Sequence, residues 1–253
     1  MSNIIRPDQY DQIKKSGQIL KEAMDRVCAA VKPGISTAQL DQIAEKYILS
    51  QDAEPSFKGY EVGTLGFYPA SLCVSLNNAV VHGLPSKKQF ISEGDLVSLD
   101  LGVRYQGLCT DMARTVIVGE VNEKVRKLVQ VTEKSLYLGI AEAKAGHHIG
   151  AIGHAVQKHV EQAGFSVVRD LVGHGLGELP HDEPQIPNYG SETDGPQITE
   201  GMALAIEPMV NLGKHKIKYA SDGWTILTKD DSLSAHFEHT ILIINGEPII
   251  LTE

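Results

Sequence analysis

The strongest constraint on this chain is that it repeats itself. "KPGISTAQLDQIAEKYILSQDA" (32–53) aligns with "KAGHHIGAIGHAVQKHVEQAG" (144–164) at a constant offset of 112 residues: Gly34 answers Gly146, Leu40 answers Ile152 and Ile48 answers Val160. An amphipathic segment precedes each copy. The first follows Pro7 and Asp8 and carries Ile13, Leu20, Met24, Val27 and Val31; the second covers about 121–143 and carries Val125, Leu128, Val129, Leu136 and Ile140. Spacings near three and four predict helices, and the first repeat copy predicts another from Ser36 or Thr37, with Leu40, Ile43, Ala44, Tyr47 and Ile48 on one face. Apolar runs at 72–76, 96–103 and 114–118 predict strands, and 54–70, with four aromatics among glycines and prolines, predicts an ordered irregular loop.

The correspondence continues past the helices. Each half has a His-Gly, "VVHGLP" at 80–85 and "VGHGLGELP" at 172–180. Each then has a glycine followed six residues later by a carboxylate, "EGDLVSLD" ending at Asp100 and "EGMALAIE" ending at Glu207. Each closes with a second acid opening a β-branched strand, Asp111 in "CTDMARTVIV" and Glu238 in "HFEHTILII". The fold class expected is therefore α/β (α+β), in which duplicated helix–helix–strand halves, about 1–118 and 119–253, share one curved sheet with helices on one side. No linker or low-complexity stretch divides them, so a single domain over 1–253 is expected.

A pseudo-twofold would bring Asp100, Asp111, Glu207 and Glu238 together. Four carboxylates in one place cannot all stay ionised without counter-charge, because like charges at short range raise one another's pKa. A pair of divalent cations balances them, and His174 from "GHGLGELPH" (173–181) is the imidazole that completes an oxygen and nitrogen donor set. Such donors favour Mn, Fe, Co or Zn over copper(I) or iron–sulfur clusters. An acidic residue after a strand is usually a solvated strand end. Asp100 and Glu207 resist that explanation, since each ends an almost wholly apolar run.

Other features read as ordinary. His147, His148, His154 and His159 belong to a helical pattern as surface or packing residues, "GKHKIKY" (213–219) as a solvated hairpin, and Cys73 and Cys109 as core. The net charge of −9 excludes a general role in gripping phosphate backbones. Cys28, Cys73 and Cys109 are an odd number without CxxC spacing, which argues against a disulfide framework and a thiolate zinc site and suits a reducing compartment. The N-terminus lacks an apolar signal region and no apolar run reaches the roughly 18 residues of a membrane span. A soluble cytoplasmic protein is expected.

"SFKGY", "YPASLCVSLNNAVVHGLP", "SLDLGVRYQGLCTDMART", "GHGLGELPHDEPQIPNYG", "EGMALAIEPM" and "DGWTILTKDDSLSAHFEHTILI" together resemble type I methionine aminopeptidases, over essentially the whole chain. The resemblance implies the pita-bread fold with a mainly antiparallel sheet. It implies a dinuclear metal centre ligated by Asp100, Asp111, His174, Glu207 and Glu238, with Asp111 and Glu238 touching both ions. It places His181 at the scissile carbonyl and His82 near the amide nitrogen of the residue after methionine. Glu207 becomes the proton shuttle, the metals polarise the carbonyl and activate a water, and the substrate's free amine takes a coordination position. Tyr68, Cys73 and Trp224 occupy the positions of the methionine pocket. The chain departs from the pattern at Glu178, at Leu179-Pro180, where many relatives have a bulky Phe or Met, and at Leu65, where some carry an aromatic.

The function implied is removal of N-terminal methionine from peptides and nascent chains when the second residue is small and uncharged. A monomer is expected, with room for a transient ribosome contact but no sequence-specific nucleic acid and no membrane. Asn77 and Ser234 match a peripheral monovalent-cation site of some relatives. Two alternatives stay open. An X-Pro dipeptidase or aminopeptidase P shares this fold and is expected to carry a further N-terminal domain, while a non-catalytic binding protein is expected to have eroded ligands.

Overall fold

A computed structural model describes residues 4–253. Helices α1 (Tyr10–Ala30) and α2 (Thr37–Ser50) form the first helical layer, and α3 (Glu123–Glu142) and α4 (Ile149–Gln162) the second. Ser36 starts α2 as the spacing predicts. Its hydroxyl accepts the Gln39 N–H while the Gln39 side chain receives the Ser36 N–H, so two otherwise orphaned donors are satisfied. Asn122 caps α3 in a similar way, accepting from the Val125 N–H at 3.0 Å.

The central strands run in the order Leu96–Tyr105, Leu108–Ile117, Glu238–Ile244, Ala203–Ile206, Gly173–Gly175 and Asp182–Ile186, all antiparallel. The two halves meet between Leu108–Ile117 and Glu238–Ile244, and the order reads outward from that seam as long hairpin in one half and its counterpart in the other. The Thr240 hydroxyl locks the seam, accepting the Asp111 N–H and donating to the Asp111 carbonyl, both at 2.7 Å. The long hairpin exceeds the sequence expectation at both strands. Polar residues such as Thr110 and Asp111 hid the start of the second strand, so Asp111 lies within it rather than at its opening. The 54–70 segment is indeed irregular, with Glu54–Pro55 pairing to the sheet edge and a two-residue hairpin, Glu61–Val62 with Gly66–Phe67.

One sheet face is covered by helices. Ile19, Leu20, Met24 and Val27 of α1 and Leu40, Ala44 and Ile48 of α2 pack with Val97, Leu99, Leu101 and Met112. Leu128, Leu136 and Ile140 of α3 and Ile152, Val156 and Val160 of α4 pack with Leu204, Ile206, Ile241 and Ile243. The expected one-sided helical layer is present in both halves. The chain end closes against it: a Cβ on Gly17 of α1 would stand 2.2 Å from the Leu251 carbonyl oxygen. Gly17→Ala is therefore expected to destabilise the protein by ~1–3 kcal/mol through overpacking, even though alanine favours helix by nearly ~1 kcal/mol. A lower denaturant midpoint checks this.

Candidate metal centre and peptide pocket

Strand register decides which side chains share the open face. Residues directly opposed in an antiparallel pair point to the same side of a sheet. Asp100 opposes Ala113, and Ala113 opposes Glu238; Asp111 stands two residues from Ala113. In the other half Ala205 opposes both Thr240 and His174, and Glu207 stands two residues beyond Ala205, just past its strand. Parity therefore turns Asp100, Asp111, His174, Glu207 and Glu238 toward one face, opposite the helices.

They also converge. Asp100, Asp111 and Glu238 can each offer an oxygen within 4.8 Å of the others, and so can His174, Glu207 and Glu238 with one ligand atom each. Glu238 belongs to both groups. Asp111 joins a further group with His174 and His181. Asp100 Oδ1, Asp111 Oδ1 and Glu238 Oε1 are buried without a hydrogen-bond partner. Burial pushes Asp100 up to about 7 and Glu207 up to about 8, with the Glu207 charge adding to the rise at Asp100. Burial chiefly, then the neighbouring carboxylates, push Asp111 and Glu238 well above the ordinary range. Desolvation likewise holds His174 down to about 3, as a neutral ligand-competent imidazole. Orphaned, mutually repelling oxygens beside a neutral imidazole are what a divalent pair would satisfy, so the donor set fits the metals that the sequence suggested.

Glycines bring His174 in close. A Cβ on Gly173 would lie 2.4 Å from the Ala205 carbonyl oxygen, so only glycine lets this short strand approach its neighbour. The segment beyond it is strapped to the long hairpin: the Cys109 N–H donates to the Gly177 carbonyl at 2.7 Å, and Arg104 Nη1 to the Glu178 carbonyl at 2.9 Å. The unusual Glu178 thus contributes its backbone to this strap. His181 follows at the mouth, its ring centroid 4.4 Å from that of His174 and 5.3 Å from that of Tyr60.

These groups line a cavity of about 540 Å³ that also reaches Tyr68, Cys73, His82 and Trp224. Tyr68 and Trp224 meet edge to face at 5.2 Å, and Cys73 is paired across the sheet with Asp100. His82 sits at a left-handed φ of 59°, and Gly83 after it comes so near Val74 that a Cβ would lie 2.2 Å from the carbonyl oxygen. Leu65 and Pro180 do differ in surroundings: Leu65 is exposed on the cavity rim, whereas Pro180 is buried beside exposed Leu179. Asn77 and Ser234 also meet, the Ser234 N–H donating to the Asn77 carbonyl at 2.9 Å. His147, His148, His154 and His159 lie on or beside α4, outside the centre, and the 213–219 segment is not itself a hairpin but supplies one arm of a longer one, Ile217–Tyr219 with Ile226–Thr228.

One residue beside the centre escaped the sequence reading. His236 is 1 % exposed, and its Nε2 lies 3.4 Å from Glu207 Oε2. The signal was its position two residues before Glu238, the spacing that places side chains on one side of an extended chain.

Comparison with known proteins agrees with this geometry. The model of metallopeptidase family M24 matches residues 11–245. The methionine aminopeptidase of Clostridium acetobutylicum is 44% identical over 98% of each chain. The crystal structure of methionine aminopeptidase from Thermotoga maritima is 42% identical, with a TM-score of 0.96 and full coverage of both chains. A prolidase from Pyrococcus furiosus, 23% identical with a TM-score of 0.77, covers all of this chain but 66% of its own and shares the fold alone. The chain belongs to metallopeptidase family M24 and, within it, to the methionine aminopeptidases.

Proposed function

We propose that this protein removes the N-terminal methionine from peptides and nascent proteins, chiefly ahead of a small uncharged second residue, and that Asp100, Asp111, His174, Glu207 and Glu238 hold two divalent ions for the purpose. The observation carrying this reading is the convergence of three buried carboxylates with unpartnered oxygens, Asp100, Asp111 and Glu238, the last of which also gathers with His174 and Glu207. When bound, such ions supply Lewis acidity toward a carbonyl and activate water near neutral pH. The protein's own side chains do the rest. His181, free of the sheet at the cavity mouth, donates to the scissile carbonyl oxygen as charge gathers there. Glu207 accepts the proton of the attacking water and passes it to the leaving amine. His82, which burial and the neighbouring His181 ring hold down to about 4, stays neutral to hydrogen-bond the amide beyond methionine. Tyr68, Cys73 and Trp224 take the thioether, a flexible group suited to aromatic edges and sulfur.

Unpaired Cys28, Cys73 and Cys109 are consistent with work in a reducing compartment, and no described helix is long and apolar enough to cross a membrane. The test is turnover of Met-Ala-Ser against an Ala-Pro peptide, by metal-stripped protein and after loading with Mn(II), Fe(II), Co(II) or Zn(II). Release of methionine only from the first peptide, and only after loading, is expected. Cleavage of the Ala-Pro peptide at a comparable rate would replace the reading with a proline-directed one. Metal-independent hydrolysis would remove the proposed centre.

A further inference from the structure

His236 and His239 are both buried imidazoles on the same stretch of chain, yet their surroundings differ. His239 Nδ1 lies 2.8 Å from Thr252 Oγ1 and its Nε2 3.3 Å from Tyr137 Oη, so packing of the chain end accounts for it. Neither nitrogen of His236 has a hydrogen-bond partner among the described residues. Its place is nevertheless fixed. The Thr115 hydroxyl accepts the His236 N–H and donates to the His236 carbonyl, both at 2.9 Å, and the strand Ser234–His236 sets it opposite Met209. A backbone clamped on both polar groups holds an unsatisfied ring beside the Glu207 carboxylate, with Asp100 near enough to act on its charge.

Glu207 is bracketed. His174 Nε2 stands 3.6 Å from its Oε1 and His236 Nε2 3.4 Å from its Oε2. His236 belongs to none of the three groups that gather ligand atoms within 4.8 Å, so it stands behind the centre and not in it. We propose that His236 is a positioning residue for the metal centre: its Nε2–H holds Glu207 Oε2 and thereby turns Oε1 toward His174, with which it would hold an ion. This rests on the centre proposed above. A buried carboxylate held at one oxygen loses rotational freedom and presents the other in one orientation, and outer partners of this kind set both ligand geometry and metal affinity.

Glutamine and asparagine separate this role from mere packing, because the Gln amide nitrogen reaches the place of Nε2 and the Asn amide nitrogen that of Nδ1. Full-length parent, His236→Gln and His236→Asn are titrated with Mn(II) by calorimetry, and their Co(II) forms compared by visible absorption. The parent is expected to take up a pair of ions, His236→Gln to bind within about threefold of it, and His236→Asn to lose ~10–100-fold at one site with an altered Co(II) spectrum. Should His236→Asn not fold, His236→Leu serves the same comparison. Parent-like affinity and spectrum in Asn or Leu, or equal losses in Gln and Asn, would overturn the role of Nε2. A parent that takes up no pair of ions would instead overturn the centre itself, and this inference with it.

Discussion

Glu238→Gln is expected to abolish most activity while making the metal-free protein more stable. With metal supplied, turnover of Met-Ala-Ser should fall at least ~10²–10³-fold, the loss that follows removal of one preorganised electrostatic group. Glu238 is common to two of the three groups of candidate ligands, those rich in carboxylates, so its change would touch both of the proposed ions at once. The stability effect has the opposite sign because the carboxylates repel one another when no cation is bound. Asp100 and Glu207 are raised to about 7 and about 8 from 3.8 and 4.5, mainly by desolvation, and burial with the neighbouring carboxylates raises Asp111 and Glu238 well above the ordinary range. A raised acid keeps its proton in the folded chain at a pH where the unfolded chain has released it. The folded state then binds more protons, so stability is highest below the unfolded values near 4 and falls as pH climbs toward the raised ones. Buried His82 and His174, held down to about 4 and about 3, work in the other direction, so the carboxylates are read in the difference: from about pH 5 to about pH 8 metal-free Glu238→Gln should gain stability relative to the parent. Mn(II) should raise the parent's melting temperature most at the higher pH, each ion adding ~2.7 kcal/mol at a hundredfold excess over its Kd. Thermal melts with chelator and with Mn(II) check all of this; a metal-free Glu238→Gln variant whose melting temperature follows pH just as the parent's does would contradict the repulsion.

How much of this was legible beforehand follows from where the information lies. The repeat of Gly34, Leu40 and Ile48 in Gly146, Ile152 and Val160 carried the helical layer and the symmetry, because amphipathic helices write their packing into local spacing. Asp100 and Glu207 stood out as charges closing apolar runs, and the structure sets both facing the centre. Strand ends were less readable. A residue such as Thr110 is buried through the Ser16 hydroxyl 2.9 Å away on α1, a contact 94 residues distant that no window of neighbouring sequence contains. His236 was hidden for a related reason. The strand Ser234–His236 pairs with Met209–Asn211 in a small separate sheet, and the main strand begins only at Glu238. The chain changes sheets at Phe237, so alternation across "HFEHT" gave no assurance that the imidazole stayed with the acids.

His181→Ala is expected to separate chemistry from metal retention. His174 and His181 bracket the segment "GHGLGELPH", and the structure gives them different footing. His174 is buried on a strand hydrogen-bonded to both neighbours, whereas His181 is exposed at the mouth beyond the strap made by Arg104 and Cys109. Its ring is held by aromatic faces, with centroids 5.3 Å from Tyr60 and 6.5 Å from Phe57, which fix its tilt and leave its nitrogens for a ligand. A donor so held stabilises charge that develops on a carbonyl oxygen without the cost of reorganising at the moment of reaction. Alanine there should lower kcat for Met-Ala-Ser by ~10²–10³-fold with little change in Mn(II) stoichiometry or affinity. The competing role is visible in the same geometry, because His181 can bring a nitrogen within 4.8 Å of ligand atoms of Asp111 and His174. A ligand lost should empty one site, and activity should then return as Mn(II) is raised. A transition-state donor lost leaves both sites filled and activity low at any metal concentration. Parallel loss of bound metal and turnover in His181→Ala would move this imidazole from the substrate into the ligand set.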